Sequence, residues 1–419
     1  MHITALILAA GRGTRMHSDK TKVLHELCGR TMIEHVILSC MAAGVKDIVV
    51  IGGANMKELK NELFHRHPSL KYALQKEPLG TGQAVLSAFR SKISLGGNVL
   101  ILSGDVPLIT APTIRGLIND FTKQGCAGII GTSVAENPRG YGRIVRFGGD
   151  VVRITEEKDC TEKERLINEV NGGIYVFRAK ELFTALKAVK VNPLKNEYYL
   201  TDAVEIMSKK GLKIKGKKVS SEELAGINDR VQLGAAAKIK NKKRLENLAE
   251  NGITIVDFDT VFIEENVTIG QETVIQPFCV IKGPSSIGSK CMIGPAAHIR
   301  PGSVIGNNCK IGNYVEVKKS KIGDNTSVSH LSYIGDAELG QGVNIGAGTI
   351  TANYDGKNKH KTVIGSGAYV GSNVVFVAPV KIGKNSVVGA GSVITDDVPD
   401  NALAIARCRQ TVKPHRRKK

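Results

Sequence analysis

The sequence predicts an α/β domain with a mostly parallel sheet, then a connecting helix, then a parallel β-helix of hexapeptide repeats. Three observations carry that prediction. Branched aliphatic residues stand six apart at Ile263, Ile269, Ile275, Ile281, Ile287, Ile293, Ile299, Ile305, Ile311 and Val317. The rhythm resumes at Ile364, Val370, Phe376, Ile382, Val388 and Ile394. Helices and flat strands repeat at about 3.6 and 2 residues, whereas a period of six gives one short strand and one corner per repeat. The second observation is an alternation of strand-like and helix-like segments before residue 229, which argues for a sheet covered by helices. The third is the Ala-, Lys- and Leu-rich segment Asp229–Glu250, free of Gly and Pro after Gly234.

Strands are expected at Ile3–Ala9, Asp47–Ile51, Asn98–Leu102 and Ala127–Thr132, with helices at Thr31–Ala43 and Gly82–Ser91. The expected domains are residues 1–228, a linker at 229–252, and a β-prism from 253 to 419. The prism should make roughly seven three-sided coils. A Gly often follows the inward residue, as at Gly270, Gly288 and Gly306, which suits a sharp corner.

Hydrophobic content of 42% suffices for real cores, and the 5% aromatic content suits a prism of Ile, Val and Gly. The eight Cys are scattered without CxxC or metal-ligand spacing, so reduced thiols and a cytoplasmic location are expected. No apolar run is long enough for a membrane span. The apolar start from Ile3 to Ala10 runs into a Gly-rich loop and reads as a strand rather than a signal peptide. The formal charge of +19 concentrates in Lys238, Lys240, Lys242, Lys243 and Arg244, and in a tail with Arg407, Arg409, Lys413, Arg416, Arg417, Lys418 and Lys419. Nucleic acid is the less favoured partner. A solvated helix face, a frayed tail and anionic phosphate substrates account for the same charge.

Leu8-Ala9-Ala10-Gly11-Arg12-Gly13-Thr14-Arg15-Met16 follows the first strand. Small residues let a nucleotide approach backbone N–H groups, and Arg15 and Lys22 can neutralise a triphosphate. GxGxxG is absent, so this is not the dinucleotide fingerprint. In the prism the period slips between Val317 and Ile322 and between Ile334 and Leu339, and it breaks at Asn353-Tyr354-Asp355-Gly356-Lys357-Asn358-Lys359-His360-Lys361. A core needs none of those polar residues, so this is an outward loop of the kind that carries function. Near the breaks lie Arg300, Lys318, His330, Tyr333, Asn344, Asn353, Tyr354 and Lys359. Cations and hydroxyls there suggest capture of a sugar phosphate, and His330 offers a base near neutral pH.

The loop from Leu8 to Met16 with Lys22 resembles the signature of sugar-1-phosphate nucleotidylyltransferases. Further matches are Gln75 with Leu79-Gly80-Thr81-Gly82, Gly104-Asp105-Val106-Pro107-Leu108, Gly140-Tyr141-Gly142-Arg143, Glu156-Glu157-Lys158-Asp159, Asn171-Gly172-Gly173, Glu197-Tyr198-Tyr199-Leu200-Thr201-Asp202 and Gly226-Ile227-Asn228. With the prism, the whole chain resembles a family of bifunctional bacterial enzymes that make UDP-N-acetylglucosamine. These join an N-acetylglucosamine-1-phosphate uridylyltransferase to a glucosamine-1-phosphate acetyltransferase. The resemblance implies a Rossmann-like first domain, a left-handed β-helix, a homotrimer, and UTP, acetyl-CoA and Mg²⁺ as co-substrates and cofactor. It implies that Asp105 and Asn228 hold Mg²⁺, that Arg15 and Lys22 clamp the triphosphate, and that Ala9, Ala10, Gln75, Gly80 and Thr81 recognise uracil. Leu8, Gly11, Ser103 and Gly104 belong to the same nucleotide-sugar site, and Gly142, Glu156 and Asn171 hold the sugar. His330 matches the general base of acetyl transfer. Arg300, Lys318, Tyr333, Asn344 and Lys359 match sugar-phosphate binders, and Asn353, Tyr354, Ser372, Ala390 and Arg407 match acetyl-CoA contacts.

The chain departs from the family pattern in three places. Thr21 stands where Pro is frequent, Ser103 where an aromatic residue is common, and the linker and early prism are short. Two other readings compete. In one, a nucleotidylyltransferase uses its prism only to oligomerise; in the other, a regulatory protein lacks activity. His330 with Asn353-Tyr354-Asp355-Gly356 argues against the first, and intact Lys22, Asp105 and Asn228 argue against the second.

Overall fold

The computed structural model describes residues 2–11, 13–192 and 196–414. Arg12 of the Gly-rich loop and the tail residues Arg416, Arg417, Lys418 and Lys419 lie outside the described residues. The chain divides into two compact units, Met1–Ala237 and Lys238–Lys419, and helix Arg230–Glu250 runs through the boundary.

The first unit is built on a nine-stranded sheet of β1 (Ile3–Leu8), β2 (Asp47–Gly52), β3 (Lys71–Leu74), β4 (Asn98–Ser103), β5 (Gly128–Val134), β6 (Arg143–Phe147), β7 (Asp150–Thr155), β8 (Glu169–Arg178) and β9 (Ile214–Lys218). Its order is β9-β5-β8-β4-β1-β2-β3, with the β6–β7 hairpin attached to β8. The pairs β1–β2, β1–β4, β2–β3 and β5–β9 are parallel, and β8 runs antiparallel between β4 and β5. Central strands read as unbroken apolar runs because helices cover both faces. Ala5, Ile7 and Leu100 join the core under helices Met32–Ala42 and Ala111–Gln124. Leu6, Val99 and Ile101 join the core under Thr81–Phe89, Ala179–Leu186 and Leu200–Lys209. Neighbouring residues on one strand therefore point to opposite layers. At the carboxyl ends, Leu8 pairs with Ser103 and Gly104 N–H donates to Leu8 O at 2.9 Å. The loops after β1 and β4 thus open side by side.

The second unit is a prism of three parallel sheets. The first face runs from Thr254–Ile255 to Leu403–Ala404, the second from Phe262–Ile263 to Val393–Ile394, and the third from Val267–Ile269 to Val380–Ile382. The six-residue ladder points inward; Ile263, Ile281, Ile299, Val317 and Phe376 are all buried. Each such side chain contributes about 1.5–3 kcal/mol of burial. Leu245 and Leu248 join this core, and the Asn241 amide seals the first coil by donating to Val261 O (2.8 Å) and accepting from Ile263 N–H (3.0 Å).

The glycines after the ladder residues serve a different purpose from the expected sharp corner. A Cβ on Gly288 would lie 2.5 Å from Gly306 O, and one on Gly371 would lie 2.5 Å from Ala390 N. They permit close stacking of coils, while residues such as Asn308, Asn325 and Asn385 take the left-handed conformation nearby.

The register explains the broken period. Ile293 pairs with Ile311, but Ile311 then pairs with Val328 and Val328 with Ile345, one residue short of the regular coil. Ile345 pairs with Val370 because the loop 353–361 is inserted between them. Both short corners, at Lys318-Lys319-Ser320 and Gly335-Asp336, and the inserted loop fall on the same edge, between the second and third faces.

Candidate functional sites

In the first unit, a cavity of about 490 Å³ opens at the carboxyl end of β1 and β4. Leu8, Ala9, Ala10, Gly11, Lys22, Gln75, Gly80, Thr81, Ser103, Asp105 and Glu156 line it, all named by the sequence; Glu197 and Tyr199 line it as well. Its volume suits a nucleotide-sized ligand. Lys22 begins a 3₁₀ turn, and its ammonium donates to Asp105 Oδ2 and, at 3.2 Å, to Asn228 Oδ1. Ile227 N–H donates to Asp105 O at 2.9 Å, which brings Asn228 across from a distant part of the chain. Gly13 adopts φ +63, and a Cβ there would lie 2.4 Å from Lys22 Cβ, so this glycine lets the loop close onto the lysine stem. Arg15 is exposed and does not line the cavity.

The buried Gln75 amide donates to Gly80 O (3.1 Å) and Gln83 Oε1 (2.6 Å). Thr81 Oγ1 accepts from Leu200 N–H at 3.1 Å, which ties this loop to the segment carrying Tyr199. Gly142, Glu156 and Asn171 come together. A Cβ on Gly142 would sit 3.6 Å from Asn171 Cβ and 3.7 Å from Glu156 Oε1. The Asn171-Gly172-Gly173 motif is a β-bulge of β8, and Gly173 at φ +69 supplies the left-handed turn. Thr201 Oγ1 donates to Glu156 Oε1 at 3.0 Å. Next to it, burial and then Glu156, Glu205 and Asp159 push the Asp202 carboxyl up to about 6.

In the second unit the named residues divide between two edges. Arg300, Lys318, Asn353, Tyr354 and Lys359 lie on the edge where the coils are irregular. There Asp336 Oδ2 accepts from Lys318 Nζ (3.1 Å) and from Asn353 Nδ2, and Arg300 Nη1 donates to Glu316 Oε1 at 2.7 Å. Contact with Lys318 lowers the Lys359 pKa. Asp355 orders the loop by accepting from the N–H groups of Lys357 (2.8 Å) and Asn358 (2.6 Å), and it also meets His360 Nε2 at 2.6 Å. Hydrogen bonds from Asn358, His360 and Lys357 hold its carboxyl well below the usual carboxylate range.

The other edge, between the first and second faces, carries His330 and, beyond the intervening turn at Gly346-Ala347-Gly348, Ser372, Ala390 and Arg407 on successive turns of the prism. Gly391 N–H donates to Ser372 O (2.8 Å), and Arg407 Nη1 donates to Ala390 O (2.8 Å). His330 is exposed, with Nδ1 2.7 Å from Asn313 Oδ1. Tyr333 lies on the second face between the two edges, paired in register with Glu316 and Ile350. Asn344 lies on the first face, paired with Ser327 and Tyr369, apart from both edges.

Comparison with known proteins finds similarity along the whole chain. A MobA-like NTP transferase domain model matches residues 5–192, a GMPPB C-terminal domain model 281–377, and a bacterial transferase hexapeptide model 361–396. "Bifunctional protein GlmU" of Thermoanaerobacter pseudethanolicus is 48% identical over 445 residues, covering 98% of this chain and 96% of its own. The protein of the same name from Acetivibrio thermocellus is 44% identical with the same coverage. The chain belongs to the bifunctional GlmU family. Both relatives align over more residues than the 419 of this chain, so they carry segments that it lacks. Among solved structures, a putative glucose-1-phosphate thymidylyltransferase from Bacillus anthracis covers 57% of this chain and 94% of its own at 21% identity and a TM-score of 0.47, too distant to argue from.

Thr21 and Ser103 are the two site positions at which the sequence departs from the family pattern. Thr21 is buried; its N–H donates to Glu58 Oε1 at 3.2 Å and its hydroxyl to Glu58 Oε2, bonds a proline could not make. Ser103 lines the cavity and leaves open the volume an aromatic ring would fill. Asp336, Asn313 and Glu316 escaped the sequence reading. Asp336 was detectable as a residue on a slipped corner, whereas Asn313 and Glu316 become visible only once neighbouring coils are paired. No helix among the described residues is long and apolar enough to cross a membrane.

Proposed function

We propose that the first unit transfers UMP from UTP to N-acetylglucosamine-1-phosphate with loss of pyrophosphate, and that the second unit first acetylates glucosamine-1-phosphate with acetyl-CoA. The product is UDP-N-acetylglucosamine, a cell-wall precursor. The observation that carries the first half is the convergence of Asp105 Oδ2 and Asn228 Oδ1 on the Lys22 ammonium inside the cavity. That ammonium stands where two oxygen ligands meet, and an all-oxygen pair completed by substrate phosphates suits Mg²⁺. Asp105 and Asn228 would hold Mg²⁺, which would supply positive charge to offset that of the reacting phosphates. Lys22 in the cavity and Arg15 at the mouth of the same loop would neutralise the triphosphate. The backbone from Leu8 to Gly11, with Gly104, faces the nucleotide, while Gln75, Gly80 and Thr81 present amide and backbone groups to uracil. Gly142, Glu156 and Asn171 hold the acetylated sugar. Positioning and electrostatics suffice for the transfer, without a covalent enzyme intermediate.

In the second unit the amine of glucosamine-1-phosphate attacks the thioester carbonyl. His330 takes the amine proton, and CoA leaves as thiolate. Arg300, Lys318 and Lys359 receive the phosphate, while Tyr333 and Asn344 orient the sugar. Ser372, Ala390 and Arg407 form a track of stacked turns, about 4.8 Å apart, that suits an extended CoA arm; Asn353 and Tyr354 orient its acetyl end. His330 and the phosphate-binding residues lie on different edges of one prism. A homotrimer in which one copy's edge faces another's would bring them together.

Two assays on the full chain test this. Asp105→Ala should lose pyrophosphate release and keep thiol release from acetyl-CoA; His330→Ala should do the reverse. Loss of both activities in either variant would refute independent sites.

A further inference from the structure

The corner before His330 carries Asn313, paired with it residue for residue on the neighbouring coil. Leu331 N–H donates to Asn313 O at 2.9 Å, which locks the two corners in stack. Out of this fixed frame the Asn313 amide reaches His330 Nδ1 at 2.7 Å through its oxygen. An amide oxygen only accepts, so Nδ1 must carry the proton. The other ring nitrogen then keeps its lone pair and points away from the partner, toward solvent.

We infer that Asn313 is the positioning residue that fixes His330 as the Nδ1–H tautomer, so that Nε2 is the atom that takes the substrate amine's proton. The inference rests on the reading of His330 as the general base. Without Asn313, the ring divides its time between tautomers and orientations, and one tautomer has no lone pair at Nε2. As the imidazole gains its second proton, the Asn313 oxygen also stays bonded to Nδ1–H and stabilises the cation. Both effects act on turnover and leave binding of either substrate alone.

The test uses the full chain, with Asn313→Ala, Asn313→Asp and His330→Ala assayed for thiol release from acetyl-CoA and for pyrophosphate release from UTP. Asn313→Ala should lower kcat for thiol release by about 10- to 100-fold, a part of the 10²–10⁴ a general base supplies, with KM and pyrophosphate release unchanged. Asn313→Asp keeps an acceptor at the same place and should retain most of kcat. Its carboxylate should move the acidic limb of the thiol-release pH profile upward by about one unit. A merely structural role for Asn313 would move no such limb.

Wild-type kcat in Asn313→Ala overturns the inference, as does an Asn313→Asp variant as impaired as the alanine one or with an unshifted limb. So does an equal loss of both activities in Asn313→Ala. His330→Ala separates the two claims. If it retains thiol release, the general-base reading fails; if it loses thiol release while Asn313→Ala does not, only the tautomer assignment fails.

Discussion

Gly13→Ala makes a sharp demand on the uridylyl site. Gly13 sits at φ +63, where an L side chain costs about 1–2 kcal/mol. The new methyl would also lie 2.4 Å from Lys22 Cβ, where the stem is too close to the backbone to swing aside. Non-bonded carbons rest at about 3.5–4.0 Å, so Lys22 or the loop must retreat by about 1 Å or more. The Lys22 ammonium is then displaced from its place in the cavity, from which it would reach the triphosphate. A misplacement of about 1 Å at a reacting centre costs about 10²-fold. The expected result is a loss of that order in kcat/KM for pyrophosphate release, with thiol release from acetyl-CoA unchanged. Gly11→Ala is the comparison: a Cβ there meets nothing within 4 Å, so its effect reports the nucleotide and not loop closure. Wild-type pyrophosphate release in Gly13→Ala would show that the loop does not position Lys22.

Three further predictions concern residues around the two sites. Thr21→Pro suits the backbone at φ −52 but removes both bonds to Glu58, so it should lower the unfolding free energy of the first unit by about 1–2 kcal/mol, read as a lower urea midpoint, and an unchanged midpoint would show those bonds contribute nothing. Asp202, raised to about 6 from an unfolded value near 4, favours its neutral form in the folded state, so its ionisation weakens the fold as pH climbs through that window. Asp202→Asn should therefore stabilise the fold relative to the parent at about pH 8, by about 1 kcal/mol after discounting for solvent and read as a higher Tm, and the gap should close at about pH 4. Lys318→Ala should raise KM for glucosamine-1-phosphate with kcat little changed. It should also shift the alkaline rise of that KM to higher pH, because Lys359 is relieved of the neighbouring cation that lowers its pKa; an unshifted rise would mean Lys359 does not contact the phosphate.

Some of this architecture was readable because one residue type repeats with one geometric meaning. The Ile ladder declares a prism, and the rungs from Ile275 to Ile299 each pair with the residue a regular coil demands. The Gly-rich loop and Asp105 were readable because they end apolar strands, and strands in such a sheet deliver their ends to a common rim. Strand β8 was harder to see. Gly172 and Gly173 look like a turn in sequence, yet they form a bulge within one long strand. The slips after Val317 and Ile334 were visible as lost residues, but their position on a single edge needs the coils closed in space. The pairing of Asn313 with His330 needs the same closure. The role of the ladder glycines was misjudged because sequence shows the turn a glycine allows and hides the backbone stacked against it.

The sealed first coil and the bare last one give the prism a direction of unravelling. Each coil touches only its neighbours, so its cohesion is a chain of nearest-neighbour terms. Asn241, Leu245 and Leu248 close the start, whereas Leu403 and Ile405 at the far end are 66% and 56% exposed. Amide exchange should therefore advance from the Leu403 end toward His330, reaching the Arg407 and Ala390 turns first. The acetyl donor, laid along those same turns, would act as a clasp on the end that frays.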